Sequence, residues 1–285
     1  MSSAFFHRAM PRINRIVVGA ALLAATGAAQ AAVVDFNTPG DYAAKFTSED
    51  AVQPFAEADG VGVGGSRGLQ MSTTVTDTGS ILNSSSLAFN TPGTSLAASV
   101  YLHTVATPGT TGEERVLEVN FTTAVTTLTG AHTGAGGKLQ FVKPDPSDDV
   151  EVEGRRNNAD IAGSIPATKF DIQGGRWYKA TFTMTNNGTT NPIPGSLVLD
   201  DYGTDGLSLV QANVYSHSYD IPIEGTLTAD DTVFGGFRVR NATRLYDALD
   251  NFEILDVTPV PEPTAVAVLL IGSVALLGRK RRRSA

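Results

Sequence analysis

The chain has 285 residues, 41% of them hydrophobic and 18% charged, a balance that belongs to a folded globular protein rather than a disordered or fibrous one. It contains no cysteine, which excludes a disulfide scaffold, cysteine-ligated zinc, iron–sulfur clusters and thiol catalysis. The net charge of -8 is uneven: with the eight basic residues of the two ends set aside, 13 Lys and Arg remain against 29 Asp and Glu, a net of -16. So acidic a body repels phosphate backbones and excludes a nucleic-acid partner.

The N-terminus places Arg8, Arg12 and Arg15 before an apolar run from Ile16 to Ala25, followed by Ala29-Gln30-Ala31. A basic start, a short apolar stretch and a small-x-small site are the parts of a secretory signal peptide. Residues 1–31 are therefore expected to be removed, with cleavage after Ala31 and Ala29 as the other small residue of the site. The mature chain then begins near Ala32, in a compartment where a lack of cysteine is no handicap.

From Ala32 to Thr258 no 3.6-residue apolar period persists over a helical length, while short alternating or β-rich runs recur between Gly, Asn, Asp and Pro clusters. The pattern predicts an all-β, antiparallel β-sandwich as one domain over residues 32–259. Strands are expected at Leu96–His103, Val116–Phe121, Lys138–Val142, Val150–Arg155, Arg176–Thr185, Ser196–Leu199, Thr232–Arg240 and Leu249–Val257. In the clearest, Tyr178, Ala180, Phe182 and Met184 fall on one face, and Trp177, Lys179, Thr181 and Thr183 on the other. Asn187-Gly188, Asp205-Gly206 and Gly174-Gly175 are turn signals. Gly60, Gly62 and Gly65 match a dinucleotide-binding fingerprint in spacing only. No strand–helix unit surrounds them, so they read as a loop.

Four short segments add a resemblance: Gly175-Arg176-Trp177-Tyr178 leading a long strand, Leu199-Asp200-Asp201, Phe234-Gly235-Gly236-Phe237, and the closing Asp250-Asn251-Phe252. Their order resembles the concanavalin-like or laminin-G-like jelly rolls. That resemblance implies that the first and last strands lie together, bringing Val33–Phe36 near Leu249–Ile254.

Candidate chemistry is sparse. Alternation would put Asp149, Glu151 and Glu153 on one face of a strand, adjacent members roughly 6.6 Å apart, a spacing within reach of glycoside hydrolysis. Concanavalin-like glucanases order such a strand Glu, Asp, Glu, whereas this chain reads Asp, Glu, Glu. A solvated acidic strand, charged against edge pairing, is the preferred reading, and a glycosidase or lyase using Glu151 and Glu153 is the alternative. Asp250 is the candidate metal ligand. Alternation places it beside Phe252 and Ile254, so on a core face its charge would need a cation such as Ca2+ or an arginine such as Arg238 or Arg240. Asp200, Asp201 and Asp205 lack EF-hand spacing. His103, His132 and His217 are isolated, which gives a zinc hydrolase no support. Sugar stacking could draw on Trp177, expected to pack on the sheet, and on Tyr101, Tyr202, Tyr215, Tyr219 and Tyr246.

The C-terminus carries the most specific pattern: Pro261-Glu262-Pro263, an apolar run from Thr264 to Leu277, Gly278, and Arg279, Lys280, Arg281, Arg282 and Arg283. Pro263 suits the first turn of a helix and Glu262 the positive end of its dipole. The apolar run makes only roughly 22 Å of helix against about 30 Å of hydrocarbon, and the basic cluster would stay cytoplasmic. This tripartite tail, residues 260–285, resembles the PEP-CTERM sorting signal of Gram-negative bacteria. That resemblance implies export, a transient stay in the inner membrane as a single transmembrane helix, and processing there by an exosortase. The final location would be the cell surface or the extracellular matrix, with extracellular polysaccharide as a partner. The body is expected to be non-enzymatic, a carbohydrate-binding or structural module.

Overall fold

Alternation builds the sheets. Along Trp177–Thr185 the side chains of Tyr178, Ala180, Phe182 and Met184 are buried, and Lys179, Thr181 and Thr183 between them are half-buried, as their sequence predicts. The computed structural model describes residues 31–48, 55–71, 77–82, 86–105, 113–122, 134–143, 150–155, 170–188, 193–221, 232–240 and 246–257. The predicted signal peptide before Ala31, including Ala29, lies outside them. So do Asp149, His132 and the whole tail, with Pro261, Glu262, Pro263 and the basic cluster from Arg279 to Arg283. Among the described residues no helix is long and apolar enough to cross a membrane.

The strands in chain order are β1 (Ala31–Val34), β2 (Phe46–Ser48), β3 (Phe55–Ala58), β4 (Gly68–Met71), β5 (Asp77–Leu82), β6 (Leu87–Ala88), β7 (Ser95–Thr104) and β8 (Glu113–Thr122). They continue with β9 (Gly134–Lys143), β10 (Val150–Arg155), β11 (Phe170–Ile172), β12 (Trp177–Thr185), β13 (Ile193–Asp201), β14 (Gln211–Ile221), β15 (Thr232–Arg240) and β16 (Tyr246–Asp256). Among the described residues one short α-helix, α1 (Asp41–Lys45), follows β1, and one 3-10 turn spans Val63–Gly65. The first sheet runs β14, β13, β12, β7, β16, β4, β3, with β1 also on β16; the second runs β11, β10, β9, β8, β15, β5, β2, with β6 also on β15. Every pairing between them is antiparallel. The chain is therefore the antiparallel β-sandwich that the sequence predicts. The first strand does meet the last, with Val33 opposite Glu253 and Val34 opposite Phe252.

One apolar cluster draws on both sheets. Phe237 of β15 meets Phe252 of β16 at 5.4 Å between ring centroids, and Phe121 of β8 meets Phe182 of β12 at 6.2 Å. Gly235 explains why the Phe-Gly-Gly-Phe run contains glycine: a Cβ there would collide with Ile254 Cγ2 and touch Phe252 Cζ. The missing side chain lets the two sheets close on Ile254. Overpacked cores lose about 1–3 kcal/mol, so Gly235→Ala should lower the unfolding free energy by that amount, read as a lower urea midpoint with an unchanged m-value. A variant as stable as the parent would show that the sheets do not bear on one another there.

Candidate functional site

The last strand slips against its neighbour twice. Tyr246 pairs with Thr104 and Ala248 with His103, so Asp247 is an extra residue. Asp250 pairs with Tyr101 and Glu253 with Ser99, so two residues of β16 stand where β7 has one. Bulges of this kind suspend alternation and re-aim side chains. Asn251 takes the left-handed turn that the second bulge needs, at φ 48°, a conformation asparagine tolerates better than most residues.

The second bulge corrects the prediction for Asp250. Leu249 and Phe252 both enter the core, three positions apart, and Asp250 lies across from half-buried Tyr101 on the outer face. Alternation alone had put Asp250 with Phe252 and Ile254. Its carboxylate is fully buried nonetheless, because the loop joining β3 to β4, residues 59–67, folds over it. Oδ2 accepts the Val63 N–H at 2.8 Å and the Ser66 hydroxyl at 3.2 Å, while Oδ1 accepts the Asn251 N–H at 2.8 Å. Calcium requires six to eight oxygen ligands. What surrounds Asp250 is hydrogen-bond donors, and among the described residues no group of three or more His, Asp or Glu gathers. These residues do not fit a calcium cage. Of the two arginines the sequence offers, Arg238 meets Glu118 at 3.5 Å, and the side chain of Arg240 lies outside the described residues. Burial pushes the Asp250 carboxyl up to about 6, outweighing the downward pull of the three hydrogen bonds, with Asp35 adding to the rise.

The glycine-rich loop is thus a structural strap. The Gly62 N–H donates to Ser66 O, Gly64 to Asp205 O, Gly65 to Gly62 O and Ser66 to Val63 O, beside the Val63 bond to Asp250. Gly62 has no room for a side chain, since a Cβ would fall 2.6 Å from Asp250 Oδ2. The Gly64–Asp205 bond ties this loop to a second one, residues 202–210 between β13 and β14.

Between the two loops lies a cleft of about 520 Å³. Strand register assembles its floor: Gln70 of β4 pairs with Ala248 of β16, Ala248 with His103 of β7, and His103 with Trp177 of β12. Gly60, Val61, Gly62, Gly64 and Gly65 form one wall, and Thr204, Asp205 and Leu207 the other. Asp247, extruded by the first bulge, turns back to His103, Oδ1 to Nδ1 2.7 Å. The imidazole stacks obliquely on the Trp177 ring, centroids 5.1 Å apart. Trp177 is on the outer face as predicted, yet only 4% exposed, because Gly206 and Val63 close over it. Gly206 has φ +75° and a Cβ would lie 2.9 Å from the indole Cγ, so only glycine suits that turn. Beside the cleft, Leu207, Leu209 and Val210 are 66%, 51% and 62% exposed.

The remaining predicted residues fall elsewhere. Glu151 and Glu153 are on β10 in the other sheet, where Glu151 pairs with Asp171 and Val142, and Glu153 with Gln140. Asp200, Asp201 and Asp205 diverge. Asp201 grips Arg176 through two hydrogen bonds, 3.1 and 2.8 Å, Asp200 accepts the Asn213 N–H, and Asp205 Oδ1 accepts the Leu207 N–H at 3.0 Å. Of the tyrosines, Tyr101 and Tyr202 pair edge to face at 4.9 Å. Lys179 stands over the Tyr101 ring and bonds to Glu253. Burial, then the Tyr202 hydrogen bond, raises the Tyr101 phenol above its usual range. Tyr215 is buried in the core. His103 with Asp247 is the pairing that the sequence did not reveal.

No protein-family model matches the chain, and no curated protein does. Among solved structures, it is similar to peanut lectin at 10% identity, covering 82% of this chain and all of that one, with a TM-score of 0.48. It is also similar to the globular domain of T. cruzi calreticulin, at 8% identity, 86% and 94% coverage and a TM-score of 0.44. A third is an endo-β-1,4-glucuronan lyase from Trichoderma reesei, at 13% identity, 72% and 90% coverage and a TM-score of 0.40.

Asp250 gives stability a pH dependence of known sign. The folded chain holds this proton to about pH 6, whereas an ordinary Asp releases it near 3.8. The resulting contribution is full below about pH 4 and is lost as pH rises through 6, about 3 kcal/mol in all. Urea unfolding at a series of pH values should show the stability of the parent relative to Asp250→Asn falling by that order across this window. A difference that is flat with pH would contradict it.

Proposed function

We propose that this chain is an exported β-sandwich that binds carbohydrate without turning it over, at the cell surface or in the extracellular polysaccharide matrix. The single observation that carries the binding half is the cleft. Its floor offers the His103 ring, backed by the buried Trp177, its rim offers Leu207, and Gln70, Thr204, Asp205 and Asp247 supply hydrogen-bonding groups. Saccharides are recognised by this mixture, an apolar ring face against aromatic or aliphatic surface and hydroxyls against a few placed polar groups. The volume of about 520 Å³ lies within the range of small-molecule sites.

The export half rests on the two ends of the sequence. A basic and apolar leader ending in Ala29-Gln30-Ala31, and a tail of Pro261-Glu262-Pro263, short apolar run and Arg279–Arg283, suit a cargo carried to the inner membrane and released there by an exosortase. A second reading, glycoside hydrolysis or elimination by Glu151 and Glu153, draws on one observation: the backbone register sets the acidic residue Asp171 opposite Glu151.

Isothermal titration of the secreted protein against a panel of oligosaccharides tests the binding. At least one saccharide should bind, and Gln70→Ala or Asp247→Ala should weaken it about tenfold, the loss of one or two hydrogen bonds. Failure of every saccharide to bind would end this reading. Release of reducing ends that disappears in Glu153→Gln would replace it by the second. The intact mass of the secreted protein checks the export half: it should begin near Ala32 and lack everything after the Pro261–Pro263 triplet.

A further inference from the structure

Among the described residues, every permanently charged group that lines the cleft is an acid. Asp205 and Asp247 contribute carboxylates, His103 is tied to Asp247, and no lysine or arginine is among the lining residues. Each of the two aspartates uses Oδ1 within the protein, on the Leu207 N–H and on His103 respectively. The second oxygen of each has no partner among the described residues.

The glycine-rich wall does not offset this charge. A run of consecutive backbone N–H groups is ordinarily an anion-binding nest, but here all five amides from Gly62 to Ser66 are committed: to Ser66 O, Asp250 Oδ2, Asp205 O, Gly62 O and Val63 O. The segment from Gly62 to Ser66 faces the cleft with its donors spent. The fixed charge of the described lining is therefore negative, and a ligand that brings positive charge fits it.

Resting on the carbohydrate reading and extending it, we propose that the cleft takes an amine-bearing saccharide as its ammonium form, with Asp205 and Asp247 receiving the ammonium and His103 and Leu207 the apolar face of the ring. A uronate or sulfated sugar would bring its charge against two carboxylates with no lysine or arginine among the described lining residues, and an N-acetylated sugar would lose the charge that the aspartates attract.

The test compares three probes on the secreted protein by isothermal titration at low salt, at a pH where the amine is protonated: oligomers of glucosamine, the same oligomers N-acetylated, and oligogalacturonate. The glucosamine oligomer should bind about tenfold or more tightly than its acetylated counterpart, lose affinity with added salt, and leave oligogalacturonate without measurable binding. Asp205→Asn should cut the preference several-fold, because the amide oxygen still accepts the Leu207 N–H and keeps the loop folded while the charge is gone. Asp41→Asn on α1, which lines no part of the cleft, should leave the preference intact.

Equal affinity for the charged and acetylated oligomers would overturn the proposal, as would tighter binding of oligogalacturonate. An equal loss from Asp41→Asn would overturn it too, by assigning the preference to the acidic surface at large. In each of these three cases carbohydrate binding itself survives. Binding of no probe at all, together with a blank oligosaccharide panel, would remove both.

Discussion

The architecture of the cleft depends on two extra residues in β16. A strand of strict period two can present a side chain only to the core or to solvent. By inserting one residue before Ala248 and another before Glu253, the chain frees Asp247 and Asp250 from that choice without ending the strand. Asp247 swings to His103 and Asp250 turns under the 59–67 loop. The strand stays in the centre of its sheet, between β7 on one side and β4 with β1 on the other, so the bulges are held by ladders on both edges and cannot relax away.

Asp250 shows why such a position must be over-determined. A buried carboxylate is costly unless hydrogen-bonded, and the rise of its pKa to about 6 records the part of that cost which three donors leave uncovered. The same three bonds fix the loop. Val63 and Ser66 belong to one wall of the cleft's strap and Asn251 to the strand beneath, so the carboxylate pins the wall to the floor. Removing the charge would relieve the burial cost and loosen the strap together, which makes the residue a compromise between stability and the shape of the site.

Much of the sandwich was legible because the long strands alternate cleanly. β10 and β15 fall where their sequences place them, and β7, β8, β9, β12, β13 and β16 lie within a few residues of the predicted runs. What escaped were the short strands β2, β3, β4, β5, β6 and β11, whose few residues carry too little pattern, and β14, an edge strand whose Ser216, His217 and Ser218 interrupt its apolar residues. The site was less legible still. Asp250 stood out correctly as an acid among apolar neighbours, but its face was misassigned because alternation cannot count through a bulge. The one local hint was Asn251, a residue suited to positive φ in the middle of a β-rich run. His103 and Asp247 are 144 positions apart and meet only through the pairing of β7 with β16; no spacing rule reaches that far.

The glycine-rich loop joins these points. Four glycines in the nine residues from Asp59 to Arg67 make the unfolded chain unusually free, and ordering them on folding costs more entropy than ordering other residues. That cost would suit a mobile lid if the loop's amides were unspent. Here they are spent on the loop itself, on Asp250 and on the neighbouring loop through Asp205, while Arg67 adds an ion pair of 2.6 Å to Asp59 at the loop's base. The entropy is lost at folding and need not be lost again when a ligand arrives. A wall fixed in advance lowers the ordering cost of binding, which matters for a saccharide whose individual hydrogen bonds each yield little net free energy in water. The glycines serve close approach, to Asp250 at Gly62 and to Leu207 at Gly64, rather than motion, and the cleft they line is shaped before it is filled.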